Sequence, residues 1–282
     1  MAALTDLSDL INRLTGGNSG SPEQPFVFID GRIGSSAATT PVAGRWTSLW
    51  RYNSTYRGSA ATPTTVAAPT AATRGALPFT NPGGGREKWL VGFGACGANS
   101  AAFGIVVLYD RLLHIGGLSG TDTGAQTVGG TLTRNTSGDG NQIWVEINTI
   151  IGTSGTTITA SYTNESGTSG RTTQAVAIGG TGLREAERLI SLPLADGDEG
   201  VQAVASVTLA GSTGTVGDFG VVVARPITTV GVQTQGVWNP PDLISGLPGP
   251  RPLESNSCLS LMWCAGNGFV PGLWVSASMV EA

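Results

Sequence analysis

The pattern of apolar and polar positions sets the start of the chain apart from the remainder. In the stretch LTDLSDLINRLTGG, residues 4–17, four apolar residues recur at the i, i+3, i+4, i+7 spacing of an amphipathic helix: Leu7, Leu10, Ile11 and Leu14. Thr5 is the predicted N-cap, and Gly16 and Gly17 end the helix. Because a helix of about ten residues is marginal alone, we expect the stripe to rest on the body or on a neighbouring subunit.

From Lys88 to about Arg225 the pattern changes to short β-branched runs separated by turn signals. QIWVEINTII follows SGDGN, TTITASYT follows GTSG, and VQAVASVTL and FGVVVARPI come later. About seven to nine such runs are typical of a β-sandwich or jelly roll. A parallel sheet would need helical crossovers, for which the pattern has no room. The prediction is an all-β protein with a jelly-roll-like β-sandwich body, a short N-terminal helix and extended arms.

Three segments follow from these patterns. Residues 1–87 hold the helix and an extended, arginine-containing arm, whose Thr-, Ala- and Pro-rich part lacks the periodicity to pack alone. Residues 88–235 form the β-sandwich body. Residues 236–282 hold a proline-rich connector, GVWNPPDLISGLPGPRPLE, and two C-terminal strands.

One stretch imitates a dinucleotide-binding fingerprint. In WLVGFGACGANSAAFGIVVLYD, residues 89–110, glycines stand at 92, 94 and 97, and Asp110 closes the stretch. A crossover helix needs at least about 10–12 residues, and the β-branched run Ile105–Val107 occupies that space. We interpret the stretch as a hairpin of KWLVGFGA and FGIVVLYDRLLHI, joined by CGANS, and predict no cofactor.

Charge is scarce in this chain and changes the expected partners. Only 12% of the residues are charged, against about 25% in ordinary globular chains, so we expect partner subunits to cover much of the surface. The net charge of −4 argues against nucleic-acid binding. Lys88 is the one lysine beside fourteen arginines, which fits either an interface-rich surface or a GC-rich genome.

Aromatic and basic residues alternate in GRWTSLWRYNSTYRG, residues 44–58. Together with the helix stripe they are the candidate protein-interface residues: Arg45, Trp46, Trp50, Arg51, Tyr56 and Arg57. These residue types are enriched at interface hot spots. A core strand and a single-stranded nucleic-acid site, where bases stack on aromatic rings, are the alternatives.

Candidate chemistry is sparse. His114 is the one histidine, no G-x-S-x-G elbow is present, and we expect His114 to be a buried structural residue. The acidic cluster Asp196, Asp198 and Glu199 lacks the EF-hand pattern and is either a solvated turn or a calcium loop. The three cysteines supply no disulfide framework. No apolar run of about 18 residues is present. These observations predict a protein that is not an enzyme and that uses no cofactor, metal or small-molecule ligand.

Three stretches carry a resemblance to a known class: TVAAPTAATRGALPFTNPGGGREKWLVGF, LYDRLLHIGGLSGTDTGAQTVGGTLTR and ISLPLADGDEGVQAVASVTLAGSTGTVGDFGVV. Over about residues 60–225 the chain resembles virion structural proteins of tailed bacteriophages, most of all capsid decoration (cement) proteins. The resemblance implies a homo-oligomer, with a trimer favoured, made in the host bacterial cytoplasm. It would bind the major capsid protein on the outside of the head shell.

Two other functional classes stay open beside decoration. One is a tail, baseplate or receptor-binding component of the phage. The other is a secreted-type β-sandwich enzyme or carbohydrate-binding module. A fibre shaft is disfavoured because the chain shows neither repeats nor heptads.

Overall fold

The computed structural model describes residues 6–15, 22–30, 42–50, 62–98, 103–238, 249–267 and 272–282. These ranges hold one helix, α1 (Leu7–Leu14), and fifteen strands. In chain order the strands are β1 (Phe26–Asp30), β2 (Trp46–Ser48), β3 (Lys88–Gly97), β4 (Gly104–Leu118), β5 (Gln126–Thr127), β6 (Gln142–Thr149), β7 (Thr156–Asn164), β8 (Arg171–Thr172), β9 (Val176–Ile178), β10 (Arg188–Leu192), β11 (Val201–Leu209), β12 (Asp218–Val232), β13 (Arg251–Leu253), β14 (Leu259–Ala265) and β15 (Gly272–Glu281).

The strands form a closed barrel between two open sheets. The barrel runs β10-β2-β14-β4-β12-β6. The four-stranded sheet has the order β1-β15-β3-β13, and the five-stranded sheet has β5-β11-β7-β8, with β9 also paired to β7. The strand pairs named here are antiparallel, which confirms the all-β prediction.

Side-chain alternation along the barrel strands separates three apolar cores. One lies between the barrel and the five-stranded sheet and includes Ile143, Val145, Val221, Ile158, Tyr162 and Val207. A second lies between the barrel and the four-stranded sheet and includes Leu108, Leu261, Trp263, Leu90, Phe93 and Val275. The third fills the barrel itself, with Val107, Tyr109, Trp144, Leu189, Val222 and Met262.

The predicted hairpin of KWLVGFGA, residues 88–95, with FGIVVLYDRLLHI, residues 103–115, is wrong, although both strands exist as β3 and β4. β3 pairs with β15 and β13, whereas β4 pairs with β12 and β14. Leu90 and Phe93 of β3 face Leu108 of β4 across the second core, because the two strands lie in opposite layers. A turn signal between two strands does not distinguish a hairpin from a connection between layers.

Strands from all three predicted segments meet in the barrel. β2 comes from residues 1–87, β4, β6, β10 and β12 come from residues 88–235, and β14 comes from residues 236–282. β14 lies between β2 and β4, where Trp263 pairs with Thr47 on one side and with Val106 on the other. Barrel closure therefore depends on strands more than 200 residues apart in the chain.

Candidate protein interface

Helix α1 lies on the outer side of the four-stranded sheet. Leu10, only 4% exposed, packs with Leu14 against Trp89, Val91 and Val280. These three residues belong to β3 and β15. The helix thus covers the face of the sheet that is turned away from the barrel.

Polar contacts hold α1 at both ends. The Asp6 carboxylate accepts a 2.8 Å hydrogen bond from the Asp9 backbone N–H, so Asp6 is the N-cap and the prediction of Thr5 was wrong. The negative charge of an aspartate at the N-cap also interacts favourably with the positive end of the helix dipole. Nη1 of Arg13 donates to the Glu281 carbonyl at 2.6 Å, and its Nε donates to the Asp9 carboxylate at 3.0 Å.

The predicted apolar stripe of α1 splits into two halves. Leu10 and Leu14 face the sheet. Leu7 and Ile11, one turn apart, are 56% and 51% exposed. Two large apolar side chains on a docked helix cost free energy in water, because about 25 cal/mol is associated with each Å² of apolar surface. The pair Leu7 and Ile11, called the outer α1 face below, is the best-defined candidate contact surface among the described residues.

Of the six aromatic–basic residues, the structure describes three, Arg45, Trp46 and Trp50, and they differ in burial. Arg45 is exposed beside β2, and Trp46 is half-buried with its ring 6.0 Å from Trp144 in a T-shaped contact. Trp50 is buried, which is the core alternative that the sequence left open. Arg51, Tyr56 and Arg57 lie outside the described residues.

Trp50 closes a buried polar network in the body. The Arg111 guanidinium lies over the Trp50 ring at 4.6 Å, and the His114 ring meets the same indole edge-on at 5.8 Å. Nη2 of Arg111 donates to Glu146 of β6, and its Nε donates to Nδ1 of His114 at 2.9 Å. The network joins β4 to β6, so it fixes how these two strands sit in the barrel.

Burial and charge set the protonation of this network. Burial would raise the pKa of Glu146, but the charge and hydrogen bond of Arg111 outweigh burial and hold that pKa below its usual value. For His114, burial and the nearby Arg111 charge act together and lower the pKa to about 3. His114 is therefore neutral, buried and engaged at Nδ1, which is the structural role expected for it and a poor state for a general base.

A second buried ion pair, Asp110 with Arg134, is part of the lining of an open cleft. Nε and Nη2 of Arg134 donate to the two carboxylate oxygens of Asp110, each at 2.9 Å. Asp110 also accepts from the backbone N–H of Cys258 at 2.8 Å. The cleft has a volume of about 960 Å³, and Arg225, Arg251 and Glu254 are among its other lining residues. The side chain of Arg134 and the Cys258 N–H thus engage both oxygens of the Asp110 carboxylate.

The acidic cluster of the 195–200 turn is tied into the five-stranded sheet. Asp198 accepts hydrogen bonds from Arg171, Tyr162 and Asn164. The hydrogen bonds from Arg171 and Tyr162 lower the pKa of Asp198 to about 2. Over the ranges that the structure describes, no three His, Cys, Asp or Glu side chains come together as a metal site would require. The Asp198 carboxylate serves the turn itself.

Sequence reasoning did not find the Arg111–Glu146 pair. The signal was present, because LYDRLLHI and QIWVEINT each place a charged residue inside an apolar strand run. A charge in such a run needs a buried partner. The partner of Arg111 is Glu146, 35 residues away along the chain, and no local pattern connects the two positions.

Sequence comparisons with known proteins found no relative of this chain. No protein family matches the chain, and no curated protein matches it. In the described residues, no helix has the length and apolar character that crossing a membrane requires.

Among solved structures, the chain is similar to structures of infectious bursal disease virus. For the Gt strain the identity is 8%, with 93% of this chain and 81% of that chain covered, at a TM-score of 0.19. For the VP2 subviral particle the identity is 10%, with 93% and 80% covered, at a TM-score of 0.17.

Proposed function

We propose that this protein is a non-enzymatic structural component of a tailed-phage particle, which binds the outside of the capsid shell and stabilises it through inter-subunit contacts. The observation that carries the proposal is the outer α1 face. Leu7 and Ile11 are more than half exposed on a helix whose other side is firmly docked. A docked helix with a second apolar face supports a contact with another protein surface.

The buried charges support a structural role over a catalytic one. Arg111, Glu146 and His114 bind one another inside the body, and Asp110 binds Arg134. A catalytic acid or base needs access to substrate and a pKa near the working pH. His114, with its pKa lowered to about 3 by burial and Arg111, has neither property.

Composition and resemblance supply the partners of the proposal. Because only 12% of the residues are charged, few charged side chains need to lose their water when the protein assembles. The sequence resemblance to structural proteins of tailed-phage particles favours location in the virion, with the major capsid protein as partner. It also favours a homo-oligomer, with a trimer as the preferred state. The net charge of −4 favours protein over nucleic acid as the bound surface.

Copy number tests the location. We expect quantitative mass spectrometry of purified virions to give hundreds of copies, in a simple ratio to the major capsid protein. A few to a few dozen copies would place the protein at the tail or at a vertex. Absence from the particle would contradict the proposal.

Substitution tests the surface. The double variant Leu7→Ser with Ile11→Ser should lose at least about tenfold in affinity for undecorated particles, since two apolar anchors leave the contact. Val216→Ser is the matched control, because Val216 is 58% exposed in a turn before β12. Both variants should keep the melting temperature of the parent. Unchanged binding by the double variant would remove α1 from the contact surface.

One observation favours a glycan-binding tail or carbohydrate-binding role as the second candidate. The Trp238 indole, 38% exposed, packs against Gly94 of the four-stranded sheet, where an added Cβ would come within 2.8 Å of the ring. Trp274, half-buried, pairs with Cys96 nearby on β3. Binding to a glycan array that Trp238→Ala abolishes would support this candidate, and no binding would leave shell decoration as the proposal.

A further inference from the structure

Among the described strands, β1 is at one edge of the four-stranded sheet. Over the residues that the structure describes, β1 pairs with β15 and with no other strand. Phe26 pairs with Ser276, Phe28 with Trp274 and Asp30 with Gly272. An edge of this kind presents unpaired backbone N–H and C=O groups to another strand.

The backbone bonds upstream of β1 show which groups point outward. Glu23 exchanges two hydrogen bonds with Met279, and the Ala277 N–H donates to the Pro25 carbonyl. Odd-numbered residues therefore bond to β15, and the alternation of an antiparallel ladder directs the even-numbered ones away from it. Phe26, Phe28 and Asp30 each direct an N–H and a C=O to the open edge.

The other edge strands are protected in ways that β1 is not. β5 and β8 are two residues long, and β9 is three. β13 is three residues long and contains Pro252, which has no N–H to donate. β1 has five residues, FVFID, and contains neither proline nor lysine. Short strands, prolines and lysines are the usual means of preventing edge-to-edge pairing, so this edge is left competent to pair.

We propose that β1 is a self-assembly edge, at which a second copy of this chain adds its own β1 antiparallel across a twofold axis. The two four-stranded sheets then form one continuous sheet. This inference rests on the proposed function only for the expectation of a homo-oligomer. It is compatible with a trimer that pairs through β1 across additional twofold axes.

The register follows from symmetry and charge. In the proposed dimer the twofold axis is perpendicular to the sheet, so each face of one sheet continues as the same face of the other. One residue of β1 must then lie opposite its own copy, at the axis. With the axis at Phe28, Phe28 faces its own copy and Phe26 faces Asp30, so every outward N–H and C=O of β1 finds a partner. An axis at Asp30 would place two carboxylates opposite each other, which is unfavourable.

The register makes a disulfide test possible. Residues opposite each other in a hydrogen-bonded antiparallel pair have Cα atoms roughly 5.5 Å apart, within the range of about 4.4–6.8 Å that disulfides span. Phe28→Cys, in a Cys264→Ser background, should therefore give a covalent dimer on mild oxidation. Val27→Cys is the matched control, because its copies would lie about 8 Å apart by strand geometry.

A backbone variant tests the same contact without new covalent bonds. Phe28→Pro removes an N–H that β15 does not use, so the strand keeps its own sheet. We expect it to weaken dimerisation at least about tenfold in analytical ultracentrifugation, while Phe28→Ala, which keeps the N–H, loses less. In the wild-type protein, hydrogen exchange at the Phe28 amide should slow as protein concentration rises.

Three results would overturn the inference. They are a wild-type protein that stays monomeric at high micromolar concentration, equal cross-linking of the two cysteine variants, and a folded Phe28→Pro variant that dimerises like the parent. Virion copy number does not enter this test. Failure of the β1 contact would therefore leave the capsid proposal standing, and absence from virions would leave the β1 contact standing.

Discussion

Inside the body, Arg111 and Glu146 are buried completely, whereas on the outer α1 face Leu7 and Ile11 are more than half exposed. Charged side chains are usually exposed and large apolar side chains are usually buried, so each region is the reverse of the usual distribution. The buried charges bind each other, so they serve the arrangement of β4 and β6. Among the described residues, Leu7 and Ile11 belong to no apolar cluster. The ion pair is satisfied within the body, whereas the exposed pair Leu7 and Ile11 is the surface on which the proposed contact with another protein rests.

The largest expected effect comes from breaking the buried pair. Arg111→Met leaves Glu146 buried without its partner, and we expect a loss of about 3–5 kcal/mol in the free energy of unfolding, measured by urea denaturation. The double variant Arg111→Met with Glu146→Leu removes both charges and should be less destabilised than the single one. A single variant that loses under about 1 kcal/mol would show that the pair does not hold the barrel.

A smaller effect should separate the two faces of α1. Leu10→Ala removes the side chain that packs on Val91 and Val280, and we expect α1 to lose roughly 2–3 kcal/mol of docking free energy. Leu7→Ala, the same change on the exposed face, should cost under about 0.5 kcal/mol. Hydrogen exchange of the α1 amides measures both. Equal effects would mean that the helix is held by its polar contacts alone.

The third prediction concerns acid. The pKa of His114 is lowered to about 3 by burial and by Arg111, against 6.5 in the unfolded chain. Between these values the unfolded state binds the proton and the folded state does not, so stability falls as pH falls from 6.5 towards 3. At pH 5 the loss is about 2 kcal/mol, at 1.36 kcal/mol per pH unit.

His114→Asn is the control for this pH dependence, because its amide oxygen still accepts from Arg111 but takes up no proton. The lowered pKa of Glu146 contributes its own loss below about pH 4.5 in both proteins, so their difference isolates His114. Parallel stability curves between pH 7 and pH 5 would contradict the prediction.

Local sequence patterns predicted the position of α1 but not which of its residues would be buried. The 3.6-residue spacing predicted α1 within a residue at each end, because helix periodicity is a property of adjacent turns. It did not predict that the stripe would split, since Leu7, Leu10, Ile11 and Leu14 are all apolar. Only the sheet beneath α1 decides which two are covered. β1 is similar, because nothing in FVFID predicts its pairing with β15.

By itself, the sequence determined the all-β class, the helix at the start and most strand positions, because alternation and turn residues act over a few neighbours. The tertiary structure decided which sheet each strand joins, as the failed hairpin of β3 with β4 shows. It also decided that Arg111 would meet Glu146 and that Trp50 would be buried over Arg111 and His114. These choices depend on contacts between distant parts of the chain, where burial and charge pairing act together and no local pattern records the partner.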